Sequence, residues 1–138
     1  MNADPIKHKD VTDKVLACFF EVYKELGPGF LESVYERALA VVLGQAGLSV
    51  AVQQEVTVYF RGGPVGAFRT DLIVADKVVV ELKAAKTVEP AHEAQLLNYL
   101  RATEYEVGLL LNFGPRPQFK RLAFSNDRKR ALPETHAR

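Results

Sequence analysis

The segment that most limits the fold is Val107 to Phe113, a nearly continuous apolar run of strand length. Such a run suits a strand buried on both faces, and a sheet buried on both faces needs helices in two layers. The rest of the sequence supplies them. From Val11 the apolar residues Val15, Phe19, Val22 and Leu26 recur at helical spacing, with Asp10 or Thr12 as N-cap and Gly27-Pro28-Gly29 as the stop. A second helix is expected from about Phe30, carrying Glu32, Val34, Tyr35, Leu39 and Val42 and ending near Gly44 to Gly47. The pattern then turns to β-branched and aromatic residues. Val50 to Phe60, a turn at Gly62-Gly63-Pro64, Val65 to Val74, and Val78 to Lys83 read as a three-stranded meander. Ala94, Leu97 and Leu100 return to helical period between Pro90 and Arg101. Phe119 to Phe124 is a candidate extra edge strand. The expected order is α-α-β-β-β-α-β, an α/β fold with a mixed sheet flanked by helices.

With 138 residues, 48% of them hydrophobic, the chain is expected to form a single domain over 1–138 with a polar, basic tail from about residue 125. That tail, with Arg128-Lys129-Arg130, is expected to be mobile or to reach a nucleic-acid backbone. A net charge of +1 excludes a global field that would draw the protein to nucleic acid or anionic lipid, so any such binding must be local. Cys18 is the only cysteine, which excludes an intrachain disulfide and a multi-thiolate zinc site; it reads as a small buried hydrophobe. His8, His92 and His136 are too scattered to suggest a metal cluster. The polar N-terminus and the lack of a long apolar run predict neither a signal peptide nor a membrane span, hence a cytoplasmic protein. Gly62-Gly63-Pro64 lacks the Gly-Lys-Ser/Thr ending of a P-loop.

The chemistry is concentrated around one hairpin. If Ala75 to Lys77 form a three-residue loop, Val74 pairs with Val78, and counting back sets Asp71 opposite Glu81. Alternation then puts Asp71, Glu81 and Lys83 on one face, with Leu72, Val74, Val78, Val80 and Leu82 on the other. A Glu-x-Lys on a strand is ordinarily a solvated charge pair. Opposed carboxylates among strongly apolar strands are a different matter, because they repel and call for a cation or a raised carboxyl pKa. Mg²⁺ or Mn²⁺ meets that need with oxygen ligands: the two carboxylates, a backbone carbonyl and a substrate phosphate. Lys83 would position an attacking water or stabilise charge on the phosphate.

Asp71 followed by Glu81-Leu82-Lys83 after a hairpin resembles the signature of the PD-(D/E)xK nuclease superfamily. Thr70 stands where that signature has Pro. More narrowly, Gly29-Phe-Leu-Glu32-Ser-Val-Tyr35 resembles the motif of the small GxxExxY proteins, and Thr70 to Val74, Val80 to Lys83 and Gln95 to Leu100 follow in that family's order. Gln95 and Tyr99, spaced i, i+4 with His92 on the same stripe, resemble the Gln-x-x-x-Tyr motif of RecB-like nucleases.

The resemblance implies a nuclease-like core and a Mg²⁺- or Mn²⁺-dependent nuclease acting on nucleic acid, with DNA favoured. Asp71, Glu81, the Leu82 backbone carbonyl and Glu32 would hold the metal, Lys83 would assist the attacking water and Gln95 would orient it. Tyr35, Tyr99 and Gly29 would support the site, Gly29 by letting the chain turn sharply into the second helix. A homodimer is left open, since no sequence feature establishes one. The alternative is a non-catalytic module for binding nucleic acid or protein on the same fold, suggested by the small size and near-neutral charge.

Overall fold

The computed structural model describes residues 6–133. Its elements run α1 (Lys9–Leu26), α2 (Glu32–Gln45), β1 (Val50–Phe60), β2 (Gly63–Val74), β3 (Val78–Lys83), α3 (Pro90–Ala102), β4 (Val107–Phe113) and β5 (Pro117–Ala123), then a short 3₁₀ turn at Asn126–Arg128. The expected order holds, and the candidate edge strand is present.

The five strands lie in sequence order, β1-β2-β3-β4-β5. All neighbours are antiparallel except β3 and β4, which run parallel and are joined through α3. Alternation along the central strands divides the core between two helical layers. Leu72, Val74, Val78, Val80, Leu82, Val107, Leu109, Leu111 and Phe113 pack against Val15, Phe19, Tyr35 and Leu39 of α1 and α2. Val79 and Leu110 face Leu96 of α3 on the other side. Gly108 lets α3 approach closely, since a Cβ there would meet the Leu96 side chain at 3.1 Å. Every residue of β4 is buried, as its apolar run requires.

Aromatic rings lock the first layer. Phe113 stacks on Tyr35 with centroids 4.2 Å apart and meets the edge of Phe19 at 4.8 Å. The Tyr35 hydroxyl donates to the Gly27 carbonyl at 2.5 Å and accepts from the Phe30 N–H at 3.2 Å, closing the α1–α2 loop over itself. Gly29, at φ +109°, supplies a backbone conformation in that loop that L-residues rarely adopt.

Three local expectations change. Neither Asp10 nor Thr12 caps α1: the helix starts one residue after His8, and the Thr12 hydroxyl donates back to the Lys9 carbonyl instead. The β1–β2 turn falls on Arg61 and Gly62, both at positive φ, as a two-residue hairpin prefers. Pro64 lies inside β2, in the part of that strand that pairs only with β1 and beside a register shift. The start of the tail is packed rather than mobile. Lys129 is buried with its ammonium donating to the Thr103 and Tyr105 carbonyls, Arg128 covers the Phe124 ring, and the Gly62 N–H donates to Ala131. The expectation of a basic arm therefore fails for Arg128 and Lys129; residues 134–138 lie outside the described residues.

The chain leaving β3 is held by one buried amide. The Asn112 side chain accepts from the Ala85 N–H at 2.9 Å and donates to the Ala85 carbonyl at 3.0 Å, extending the β3–β4 pairing past Lys83. Gly114 completes the fit, because a Cβ there would sit 2.1 Å from the Ala85 carbonyl oxygen. Gly114→Ala is expected to destabilise the protein by about 1–3 kcal/mol through this backbone clash. Urea unfolding measures it, and an unchanged midpoint would contradict the close approach.

Candidate functional site

The site begins where two strands part. β2 and β3 pair at Val74↔Val78, Ile73↔Val79 and Leu72↔Val80, and the ladder stops there although both strands continue. The expected three-residue loop is present, with Ala75 and Asp76 at positive φ and the Lys77 N–H donating to the Val74 carbonyl. The expected register holds through Leu72↔Val80, and Asp71 and Glu81, expected as the next opposed pair, lie just past the last rung.

Past the last rung, carboxylates take up groups that the ladder no longer serves. The Asp71 Oδ2 accepts the Leu82 N–H at 2.8 Å. The Glu81 Oε2 accepts the Thr70 hydroxyl at 2.6 Å, and the Asp71 backbone N–H also favours its ionised form. Thr70 is fully buried, so its hydroxyl needs a partner and finds it in Glu81.

Simple alternation does not carry through this region. Leu72 and Val74 face α1 and α2, yet Phe68, an even number of residues away, stacks on Tyr99 of α3 with centroids 3.7 Å apart. β2 thus changes face beyond Leu72. Gln53 of β1, across from Asp71 and at φ 52°, marks the kink. Its side chain donates to Glu36 of α2 at 2.9 Å and to Asp71 at 3.4 Å, bridging the helix to the site.

Burial pushes the Glu81 carboxyl up to about 7, and the Asp71 charge adds to the rise; Thr70, the Asp71 N–H and the Lys83 ammonium oppose it. Glu36 is also raised, first by burial, then by Asp71 and Glu32, against the hydrogen bond from Gln53 and the Arg37 charge. Burial, with like charge adding to it, therefore disfavours the ionised carboxylates at this opening. A hard cation bound there would favour their ionised form.

The structure brings together Asp71, Glu81, Leu82 and Lys83, the last close enough to act on Glu81 electrostatically. It does not join Glu32 or Gln95 to them by hydrogen bonds. Glu32 is the first residue of α2 and exposed, although its charge is felt by Glu36. Gln95 is exposed and donates to the Tyr99 hydroxyl at 3.2 Å. His92 belongs to the start of α3, accepting the Glu89 N–H in a capping box. Tyr35 and Gly29 shape the α1–α2 loop. Cys18 is buried and its thiol is raised by burial, with no sign of a nucleophile. Among the described residues no three His, Cys, Asp or Glu side chains form a metal-binding group.

Sequence reasoning missed Thr70, Gln53, Glu36 and Asn112. Asn112 carried a signal, as the one side-chain amide in the apolar β4 run. Glu36 and Gln53 carried none, because their meeting depends on the kink.

With this geometry in place, comparison with known proteins identifies the class. Residues 9–122 match the PD-(D/E)XK nuclease superfamily, and the chain belongs to that superfamily. A solved structure described as "Crystal structure of SSO0001" superposes with a TM-score of 0.51 at 20% identity, covering 77% of this chain and 54% of that one; the likeness is one of fold. A search of curated protein sequences returned no match. No helix among the described residues is long and apolar enough to cross a membrane.

The raised Glu81 carboxyl gives the metal-free protein a pH-dependent contribution to stability. Between about pH 4.5 and 7 Glu81 keeps in the folded state a proton that it has released in the unfolded state, so its contribution to stability falls as pH rises through that window. Glu81→Gln stays neutral and retains an acceptor for Thr70. Its stability relative to wild type is expected to grow from pH 5 to pH 8, by on the order of 2–3 kcal/mol. Denaturant unfolding at both pH values measures this, and a pH-independent difference would contradict the burial of an ionisable Glu81.

Proposed function

We propose that this protein is a metal-dependent nuclease that hydrolyses phosphodiester bonds of nucleic acid, with DNA favoured as substrate. The observation that carries the reading is the half-buried Asp71–Glu81 pair at the opening between β2 and β3, with Lys83 beside it. Superfamily membership supports it. Within the superfamily, Gly29, Glu32 and Tyr35 favour the small GxxExxY proteins, and Gln95 with Tyr99 favours a RecB-like subtype.

Asp71, Glu81 and the Leu82 carbonyl would hold Mg²⁺ or Mn²⁺. N–H and C=O of one strand residue point to the same edge, so the Leu82 carbonyl shares the β2 side with the N–H that Asp71 accepts. When bound, the ion lowers the pKa of water and polarises the phosphate oxygen. Lys83 holds the attacking water and balances charge that develops on the phosphate. The water oxygen bonds to phosphorus and gives up a proton to solvent, the phosphorus–oxygen ester bond breaks, and the departing oxygen takes a proton from solvent. On the α2 side Glu32 is the assigned helix carboxylate. Glu36 orients Asp71 through Gln53. Gln95, steadied by Tyr99, orients water or the strand from α3.

The test is cleavage of single- and double-stranded DNA and of RNA, with Mg²⁺, Mn²⁺ or chelator. Wild type is expected to cut only with metal, and Lys83→Ala to lose at least a hundredfold in rate while keeping its melting temperature. Full activity in Lys83→Ala, or no cutting of any substrate by wild type, would overturn the proposal. Gln53→Ala breaks the bridge from Glu36 and is expected to lower the metal-dependent rate by roughly tenfold; an unchanged rate would remove Glu36 from the site.

A further inference from the structure

A cleft of about 410 Å³ opens beside the candidate site, walled by the Gly29-Phe30 turn, Ala84-Ala85-Lys86 and Gly114, among others. It adjoins the site along the chain, since Ala84 is bonded to Lys83, and its other wall, at Phe30, lies two residues before Glu32. We propose that this cleft takes one unpaired nucleobase of the substrate strand, stacked on Phe30, and so directs the protein to single-stranded or locally opened nucleic acid.

Three features favour this occupant. Phe30 is 46% exposed, yet it is held in place: its backbone N–H donates to the Tyr35 hydroxyl, and its ring meets the Tyr35 ring edge-on at 5.9 Å. It is the solvent end of a column that continues through Tyr35 to buried Phe113. A fixed aromatic surface with one face free is a platform for a base, which offers a π-face only when it is unpaired or flipped out.

The opposite wall is made of small residues kept small by backbone packing. Ala84 and Ala85 follow β3, and Gly114 cannot carry a Cβ without striking the Ala85 carbonyl. The resulting width comes from the same Asn112–Ala85 clamp that fixes the chain after Lys83. The cleft is therefore rigidly tied to the site, as a substrate pocket requires.

Charge also discriminates. Lys86 lines this cleft and no carboxylate does. Four other surface clefts each include a carboxylate, such as Glu55, Asp76, Glu106 or Glu21. An apolar slot with a cation at its rim fits a base attached to a phosphate, whereas a purely apolar partner would leave Lys86 without a role.

The inference rests on the nuclease reading, and the experiment separates the two. The full chain, with Ca²⁺ replacing Mg²⁺ to limit turnover, is titrated into single-stranded DNA whose adenines are replaced by 2-aminopurine, and into the matching duplex. Stacking quenches that fluorophore. Wild type is expected to bind the single strand with quenching; Phe30→Ala and the bulkier control Phe30→Leu are expected to lose the quenching and to bind roughly tenfold more weakly, with unchanged circular dichroism. Equal quenching and affinity in both variants, or single-strand binding by wild type without quenching, would overturn the cleft assignment and leave the nuclease reading standing. Absence of binding to either DNA by wild type, together with absence of metal-dependent cleavage, would sink both.

Discussion

The parting of β2 from β3 beyond Leu72 and Val80 is the constraint on which the rest of the site depends. An opened ladder leaves backbone donors that need acceptors, and burial makes an unmet donor costly. Here Asp71 accepts from Leu82, while Glu81 takes the hydroxyl of buried Thr70. These bonds place two carboxylates close together in a half-buried opening. The same arrangement that satisfies the opened strands half-buries a carboxylate beside a second one, and the Glu81 carboxyl is raised first by that burial and then by the Asp71 charge.

Around that opening the scaffold is stiff where position matters. β4, buried on both faces, lies parallel to β3 and, through Asn112, holds the chain beyond Lys83. The Tyr35 hydroxyl ties down the turn that leads into α2, and its ring rests on Phe113 from β4. The chain past Lys83 and the turn into α2, which wall the neighbouring cleft, are thus braced against one strand. Glu36 reaches Asp71 from α2 only because Gln53 adopts a left-handed backbone, a strain of the kind that accumulates at functional sites.

Much of this was legible in the sequence. Helical period in α1 and the unbroken apolar run of β4 predicted the layers, and the short loop at Ala75 to Lys77 predicted the register that holds as far as Leu72↔Val80, one position short of Asp71 and Glu81. What escaped depends on departures from regularity. Period-two alternation expects Thr70 on the face of Leu72; the change of face turns its hydroxyl onto Glu81 instead. Thr70, which stands where the superfamily signature has Pro, supplies the hydroxyl that steadies the carboxylate. The basic run at Arg128 to Arg130 suggested a solvated arm because composition cannot reveal that Lys129 finds two carbonyl acceptors in the α3–β4 connection.

Asp71 and Glu81 are proposed to form one cation site. Isothermal titration of Mn²⁺ into wild type and Asp71→Ala, repeated near pH 7 in buffers of different ionisation enthalpy, tests it most directly. The account predicts binding by wild type with release of protons from Glu81, and loss of both in the variant. Binding of equal strength in Asp71→Ala, or no binding by wild type, would contradict it.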